Sequence, residues 1–160
     1  MDQCTRRIVG FAVQAGTLDG VAVCRMFNRI IAGNDNLPGY LSSDNDPLFR
    51  FHRWRANLSI LEVTEIKTVP YVPLSHPFVE RLIGTVRREY LDHTLFWSAR
   101  DLENKLQQFQ HYYNSVRVHH ALNGQPPEQS SANIQTCYAN LNQFRWQSHC
   151  RGLFQLPVPA

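Results

Sequence analysis

Two carboxylates in this sequence stand where they could bind metal ions. Asp44 directly follows Tyr40–Ser43, a short segment that predicts a β-strand, and Glu80 lies 36 positions later at the start of a Pro-bounded helix. Carboxylates at strand ends suit Mg²⁺ or Mn²⁺, because these cations prefer oxygen ligands and tolerate water-filled positions. Two such metals can activate an attacking oxygen and stabilise a leaving one. The pattern therefore indicates phosphoryl transfer.

The periodicity around Glu80 tests whether this carboxylate could face a site. At about 100° per residue, one side of the helix carries an apolar stripe. The stripe consists of Val79, Leu82, Ile83, Val86 and Tyr90. Glu80, Gly84 and Arg87 fall roughly a quarter turn away, with Arg81 and Arg88 farther round. An ordinary amphipathic helix whose first-turn Glu favours the helix dipole fits the same spacing, so both interpretations stay open here.

The basic residues are strongly biased towards arginine. Fourteen of the 16 are Arg, the exceptions being Lys67 and Lys105, although the net charge is only +3. The planar guanidinium matches a phosphate through two parallel hydrogen bonds, so the bias favours a phosphate-bearing partner. Codon bias in a GC-rich genome would give the same composition, and composition alone does not decide between them.

Cysteine spacing and hydropathy argue against several other classes of protein. The four cysteines form no C-x-x-C pair, so neither a disulfide framework nor a zinc ribbon is indicated. No apolar run approaches the ~18 residues of a membrane span, and the start MDQCTRR lacks the apolar core of a signal peptide. We therefore expect a cytoplasmic protein.

The elements that must position these residues alternate between strands and helices. This alternation predicts an α/β fold, with helices packed on a sheet. In chain order the sequence predicts a strand over Arg7–Val13, a helix capped by Thr17 or Asp19 and ending at Gly33, a strand over Tyr40–Ser43, a short helix within Pro47–Asn57, a strand over Ile60–Ile66, the helix carrying Glu80, and a helix over Ser98–Asn114. The tail from Ile134 to Ala160 has only weak periodicity.

Three segments, in order, resemble a known family. The string PYVPLSHPFVERLIGTVRREYL is similar to the third-carboxylate region of bacterial insertion-sequence transposases related to retroviral integrases, and SSDNDP to their second-carboxylate region. Between Asp44 and Glu80 lie 35 residues, the separation named by the D,D-35-E signature. Downstream, YYNSVRVHHALNGQPP resembles the usual ending, with matches at Tyr113, Asn114, Arg117, His119, Leu122 and Pro126.

The resemblance implies a ribonuclease-H-like fold and a polynucleotidyl transferase that cleaves and joins DNA during integration and transposition. It implies Asp44 and Glu80 as catalytic metal ligands for two Mg²⁺ or Mn²⁺ ions. The DNA contacts implied by position are Arg81, Arg87, Arg88 and, more weakly, Lys67. Asn45 and Asp46 receive no role, and Arg117 and His119 are matched positions that could simply fix the closing turn.

One part of the family pattern has no counterpart in this sequence. The family's first carboxylate lies on the opening strand of its sheet, ahead of the segment that TRRIVGFAV resembles, and Asp2 does not match it. We therefore expect residues 1–128 to form an incomplete, N-terminally truncated catalytic core with little or no activity, and 129–160 a tail of unknown role. Whether the chain is an enzyme is left open.

The expected partners are transposon-end and target DNA, with a second copy of the chain or a full-length transposase as a protein partner, in the cytoplasm at the nucleoid. A non-catalytic DNA-binding or subunit-interaction remnant is the first alternative. An unrelated α/β phosphotransferase or nuclease is the second.

Overall fold

The computed structural model describes residues 1–34, 37–68, 77–128 and 144–159. The chain forms two compact units, one comprising Met1 and Val9–Glu103 and the other Asp2–Ile8 and Asn104–Ala160. The boundary expected after residue 128 falls where a described range ends, and it stays a prediction. Among the helices in these four ranges, none is both long and apolar enough to cross a membrane.

The first helix, α1, spans Gly20–Ala32 and has the predicted ends. Of the two expected caps, Asp19 takes the role, because its side chain accepts a hydrogen bond from the backbone N–H of Ala22 at 2.7 Å. Gly33 closes the helix by donating its backbone N–H to Ile30 O. A Cβ at Gly20 would overlap the Phe51 ring, so the glycine permits close packing at the start of α1.

Two short strands form the parallel sheet of the first unit. Strand β1 is Tyr40–Ser43, as predicted, and pairs in parallel with β2, Thr64–Lys67. They are joined by a 3₁₀ turn, Pro47–Arg50, and helix α2, His52–Ile60. The expected strand over Ile60–Ile66 was wrong at its start, because the backbone N–H groups of residues 61–63 bond back to the last turn of α2.

The core of the first unit lies on one face of this sheet. Trp54, Leu58 and Val63 are buried together. Half-buried apolar side chains surround them, from α1 (Val23, Cys24, Phe27), from β1 (Leu41) and from the segments around α2 (Phe49, Phe51, Leu61). Helices packed on a parallel sheet confirm the predicted α/β class, and the described sheet has few strands, as expected for an incomplete fold.

Helix α3 spans Pro77–Glu89 and carries Glu80 in its first turn. Leu82, Val86 and the following Tyr90 are buried, as the stripe predicted. Ile83 is 54% exposed, so its assignment to the core was wrong. Ile83 lies at the edge of the stripe nearest Glu80, where a helix leaves its packed face.

The predicted strand over Arg7–Val13 is absent from the described structure. Side-chain amides replace a sheet partner, because Asn114 Oδ1 accepts from Ile8 N at 2.8 Å and Asn114 Nδ2 donates to Ile8 O at 3.0 Å. Gln110 Nε2 adds a third bond, to Ile8 O at 3.1 Å. The apolar run thus reports one buried residue, Ile8, whose backbone groups are paired without a strand.

The second unit combines most of helix α4 with a hairpin. Helix α4 spans Ala99–Ser115, one residue from the prediction, and Ser98 Oγ accepts from Asp101 N at 3.1 Å at its start. The hairpin joins β3, Phe144–His149, to β4, Phe154–Pro159, in antiparallel register. The Phe154 ring stacks on Tyr112 of α4, with centroids 4.2 Å apart and planes inclined by 3°.

Candidate functional site

Asp44 lies immediately after β1 and is exposed. Its Oδ1 accepts a hydrogen bond from the backbone N–H of Asp46 at 3.0 Å, so the side chain folds over its own turn. The other carboxylate oxygen has no hydrogen bond to the residues that the structure describes. Asp44 therefore presents an oxygen donor at the carboxyl end of a parallel strand, where open α/β sheets place their chemistry.

The two residues after Asp44 hold this turn in place. Asn45 Nδ2 donates to Thr68 O, just beyond β2, at 3.0 Å. Asp46 caps the 3₁₀ turn by accepting from Leu48 N at 2.8 Å. Both side chains are thus used locally, and this gives structural roles to two residues that the sequence left without any.

A network of polar side chains lies beside Asp44 and was not predicted. Glu65 Oε1 accepts from Ser43 Oγ at 2.6 Å, from Trp54 Nε1 at 2.9 Å and from Lys67 Nζ at 2.7 Å. The Lys67 ammonium also lies 3.0 Å from Ser43 Oγ, 3.1 Å from Phe49 O and 3.4 Å from Asp44 O. The network therefore ties β2 to β1, to α2 and to the Asp44 turn.

The charge state of Glu65 follows from these contacts. Partial burial by itself would raise the pKa of Glu65, but the hydrogen bonds from Lys67, Ser43 and Trp54, with the Lys67 charge, lower it below the ordinary 4.5. Glu65 is therefore ionised at neutral pH. Because Lys67 is already bonded inside the protein, its predicted contact with DNA stays a prediction with a competing structural role.

Helix α3 presents a polar face with one carboxylate and three guanidinium groups. Glu80, Arg81, Arg87 and Arg88 are all exposed, and no ion pair joins the three arginines to a carboxylate of the described ranges. A Cβ on Gly84 would come within 2.9 Å of an Arg88 guanidinium nitrogen. Gly84 therefore makes room for the Arg88 side chain along the helix.

The structure does not join Asp44 to Glu80 through any hydrogen bond of the described residues. Nor, across residues 1–34, 37–68, 77–128 and 144–159, do three or more His, Cys, Asp or Glu side chains form a group that could hold a metal ion. The two carboxylates suit a hard cation by their chemistry, but they are fewer than a two-metal site requires. Their role as metal ligands stays a prediction.

The closing motif packs around a single aromatic ring. Tyr113 is buried, the His119 ring meets it edge-on with centroids 4.5 Å apart, and the Arg117 guanidinium lies 5.6 Å from its centroid. Arg117 and His119 also contact each other at 3.2 Å, between Nη1 and Nδ1. These two matched positions therefore fix the turn after α4, which is the structural role that the sequence left open.

The polar network was missed for an identifiable reason. Glu65 and Lys67 alternate along β2 and so share one face of the sheet. Ser43 is opposite Lys67 in the β1–β2 register. The alternation is readable in TEIK, but the register that brings Ser43 and Trp54 to the same carboxylate is not.

Comparison with known proteins identifies the fold of this chain. Residues 61–127 match the integrase core domain family. The fold matches the catalytic core domain of BIV integrase with a TM-score of 0.53 and 23% identity, covering 71% of this chain and 70% of that one. It also matches a chain of the simian T-cell lymphotropic virus intasome in complex with PP2A regulatory subunit B56 gamma, with a TM-score of 0.55 and 17% identity, covering 91% of this chain and 55% of that one. The fold is that of retroviral integrase catalytic cores, which confirms the ribonuclease-H-like prediction.

A protein of a bacterial insertion element is also similar to this chain in sequence. The chain is 27% identical over 140 residues to the insertion element IS476 uncharacterized 39.2 kDa protein of Xanthomonas euvesicatoria. The match covers 88% of this chain and 40% of that protein, so the chain spans well under half the length of this relative. The predicted resemblance to proteins of bacterial insertion sequences is thereby confirmed.

Proposed function

We propose that this chain is part of the catalytic core of an integrase-type transposase, an enzyme that acts on DNA through metal-dependent strand cleavage and transfer. The observation that carries the proposal is the position of Glu80. It lies in the first turn of α3, inside the segment that matches the integrase core domain, while Asp44 directly follows a strand of the same compact unit. Both are exposed, as groups that meet a DNA phosphate must be.

The metal chemistry would depend on two carboxylates. Asp44 and Glu80 offer the oxygen donors that Mg²⁺ and Mn²⁺ prefer. The described residues contain no group of three or more candidate ligands, so the donor set does not fit two metal ions. We therefore expect the chain alone to bind one divalent cation weakly and to have little or no strand-transfer activity.

The DNA contacts are assigned to α3. Arg81, Arg87 and Arg88 are exposed and free of ion pairs with the described carboxylates, so their guanidinium groups can bind phosphates without breaking an ion pair among the described residues. Such contacts are directed at the backbone of DNA and carry little sequence information. Lys67 is the weakest of the predicted DNA contacts, because binding DNA would compete with its bonds to Glu65 and Phe49.

Nicking of supercoiled plasmid in the presence of Mn²⁺ tests the catalytic assignment. Asp44→Asn and Glu80→Gln should each abolish any metal-dependent nicking, whereas the matched change Asp92→Asn at another exposed carboxylate should leave it unchanged. Nicking that persists undiminished in both variants would show that these two carboxylates do not carry the activity.

Salt titration of DNA binding tests the arginines. Each phosphate contact contributes about 0.9 to the slope of log K against log salt concentration on duplex DNA. Replacing Arg81, Arg87 and Arg88 together by Gln should therefore lower the slope by roughly 2 to 3, and Arg25→Gln, a matched exposed arginine on α1, should leave it unchanged. An unaltered slope in the triple variant would remove α3 from the DNA interface.

A second function is favoured by the absence of a three-ligand group among the described residues. In this alternative the chain binds DNA, or a second integrase-like subunit, without catalysis. DNA binding that is intact in wild type, Asp44→Asn and Glu80→Gln, with no nicking in any of them, would support it. An unchanged strand-transfer rate of a full-length relative at excess fragment would exclude the subunit role.

A further inference from the structure

A polar groove in the second unit is not used by the proposed function. It has a volume of about 630 Å³ and lies between one side of α4 and the β3–β4 hairpin. Helix α4 contributes four exposed side chains, Asn104, Gln107, Gln108 and His111, and the hairpin contributes residues 147–151. The helix positions follow an i, i+3, i+4, i+7 spacing, so they form one continuous stripe along α4.

The lining of the groove is rich in amides, includes one guanidinium group and contains no carboxylate. Its lining includes three Gln or Asn side chains from the helix and Gln147 from the hairpin, together with Arg151 and two histidines. Burial raises the pKa of the Cys150 thiol to about 11, so this lining residue carries no negative charge at neutral pH. The carboxylate of Glu128 is not part of the lining. It is bonded to Ser115 and Arg7, and these contacts hold its pKa below the ordinary value. The surface therefore favours an anionic ligand with hydrogen-bonding edges.

Backbone strain is concentrated at the end of this groove. Cys150 and Arg151 have φ angles of +50° and +58°, which non-glycine residues seldom adopt. Such conformations cost of order 1–3 kcal/mol each and cluster at ligand clamps. His149 Nε2 is also buried without a hydrogen-bond partner in the described structure, while its ring rests 5.8 Å from Tyr112. Because hairpin loops also use positive φ angles, the unsatisfied His149 nitrogen is the feature of this turn that calls for a polar partner.

We propose that this groove binds a single DNA strand, with Arg151 and His111 on its phosphates and the Gln and Asn amides on its base edges. The choice of DNA rests on the proposed function. A single strand fits better than a duplex, because a concave surface cannot enter the grooves where duplex base edges are exposed. Unpaired bases, by contrast, offer those edges to the amides of the groove while a phosphate meets the Arg151 guanidinium.

Fluorescence anisotropy with a labelled 12-nucleotide single strand, and with the duplex of the same sequence, tests the groove in the full chain. Arg151→Asn removes the charge while keeping a residue that tolerates positive φ. It should weaken single-strand binding about tenfold, the effect of one charged hydrogen bond. The helix pair Gln107→Ala and Gln108→Ala should weaken single-strand binding and leave duplex binding unchanged. Arg25→Gln is the matched control for charge.

The outcomes separate this inference from the proposed function. If the groove variants bind the single strand like wild type while the α3 triple variant loses duplex binding, the groove inference is overturned and the proposed function stands. If the groove variants lose single-strand binding while the α3 variant keeps all duplex binding, the inference stands and the α3 assignment fails. A wild-type chain that does not bind the single strand overturns the inference.

Discussion

The polar network next to Asp44 contains one side-chain carboxylate, that of Glu65. Glu65→Gln removes its charge while keeping its shape. Its Oε1 accepts three hydrogen bonds, from Ser43, Trp54 and Lys67. A bond to a charged group contributes about 1 kcal/mol more than a neutral one. Because the Lys67 side chain is 33% exposed, solvent reduces the sum. We expect the free energy of unfolding to fall by about 2 kcal/mol at neutral pH.

The pH dependence of this loss identifies its cause. The folded-state pKa of Glu65 is lowered from 4.5, so the carboxylate stabilises the fold fully above that value and loses its effect as the pH falls through the folded-state pKa. Urea unfolding of wild type and variant, followed by circular dichroism, should therefore give curves that converge on acidification below 4.5. Glu62→Gln, at an exposed carboxylate, should change stability by less than about 0.5 kcal/mol. A loss below about 0.5 kcal/mol for Glu65→Gln at neutral pH would refute the reasoning.

Three further substitutions should have separable effects on urea unfolding. Asn114→Ala leaves the buried backbone groups of Ile8 without two of their hydrogen bonds, and should lower the free energy of unfolding by about 2–4 kcal/mol. A loss under about 1 kcal/mol would contradict a stabilising role for these two bonds. Asp19→Ala removes the α1 cap and should cost about 1 kcal/mol, with Asp19→Asn near wild type as the check. Phe154→Ala removes the stack on Tyr112 and should cost about 3 kcal/mol, whereas Phe154→Tyr should be nearly neutral.

Local patterns predicted those elements whose signals are local. The period of α1, its Asp19 cap and the Gly33 stop are all contained within 15 residues, and each behaves as expected. The apolar run at Arg7–Val13 correctly indicated burial at Ile8, but a strand also needs a partner, and hydropathy does not reveal one. The hairpin was missed because Pro157 and several polar residues weaken the alternation along β3 and β4.

The candidate site was likewise predicted only in part from the sequence. The type and spacing of Asp44 and Glu80 were readable, and the structure places both on exposed ends of the predicted elements. The binding of Glu65 to Trp54 and Ser43 depends on strand register and on helix packing, which are properties of the folded chain. A lysine in such a sequence can be a DNA contact or an internal counter-charge, and only the contacts of Lys67 distinguish the two roles.

The bonds between Ile8 and Asn114 impose an order on folding during synthesis. The two residues are 106 positions apart, so the backbone of Ile8 is made long before the amide that pairs with it. At about 5–20 residues per second, a ribosome needs roughly 5–20 seconds to add the intervening chain. For that interval Ile8 lacks these bonds, whereas its neighbours Val9 and Gly10 can already contact Asn34 and Ile30.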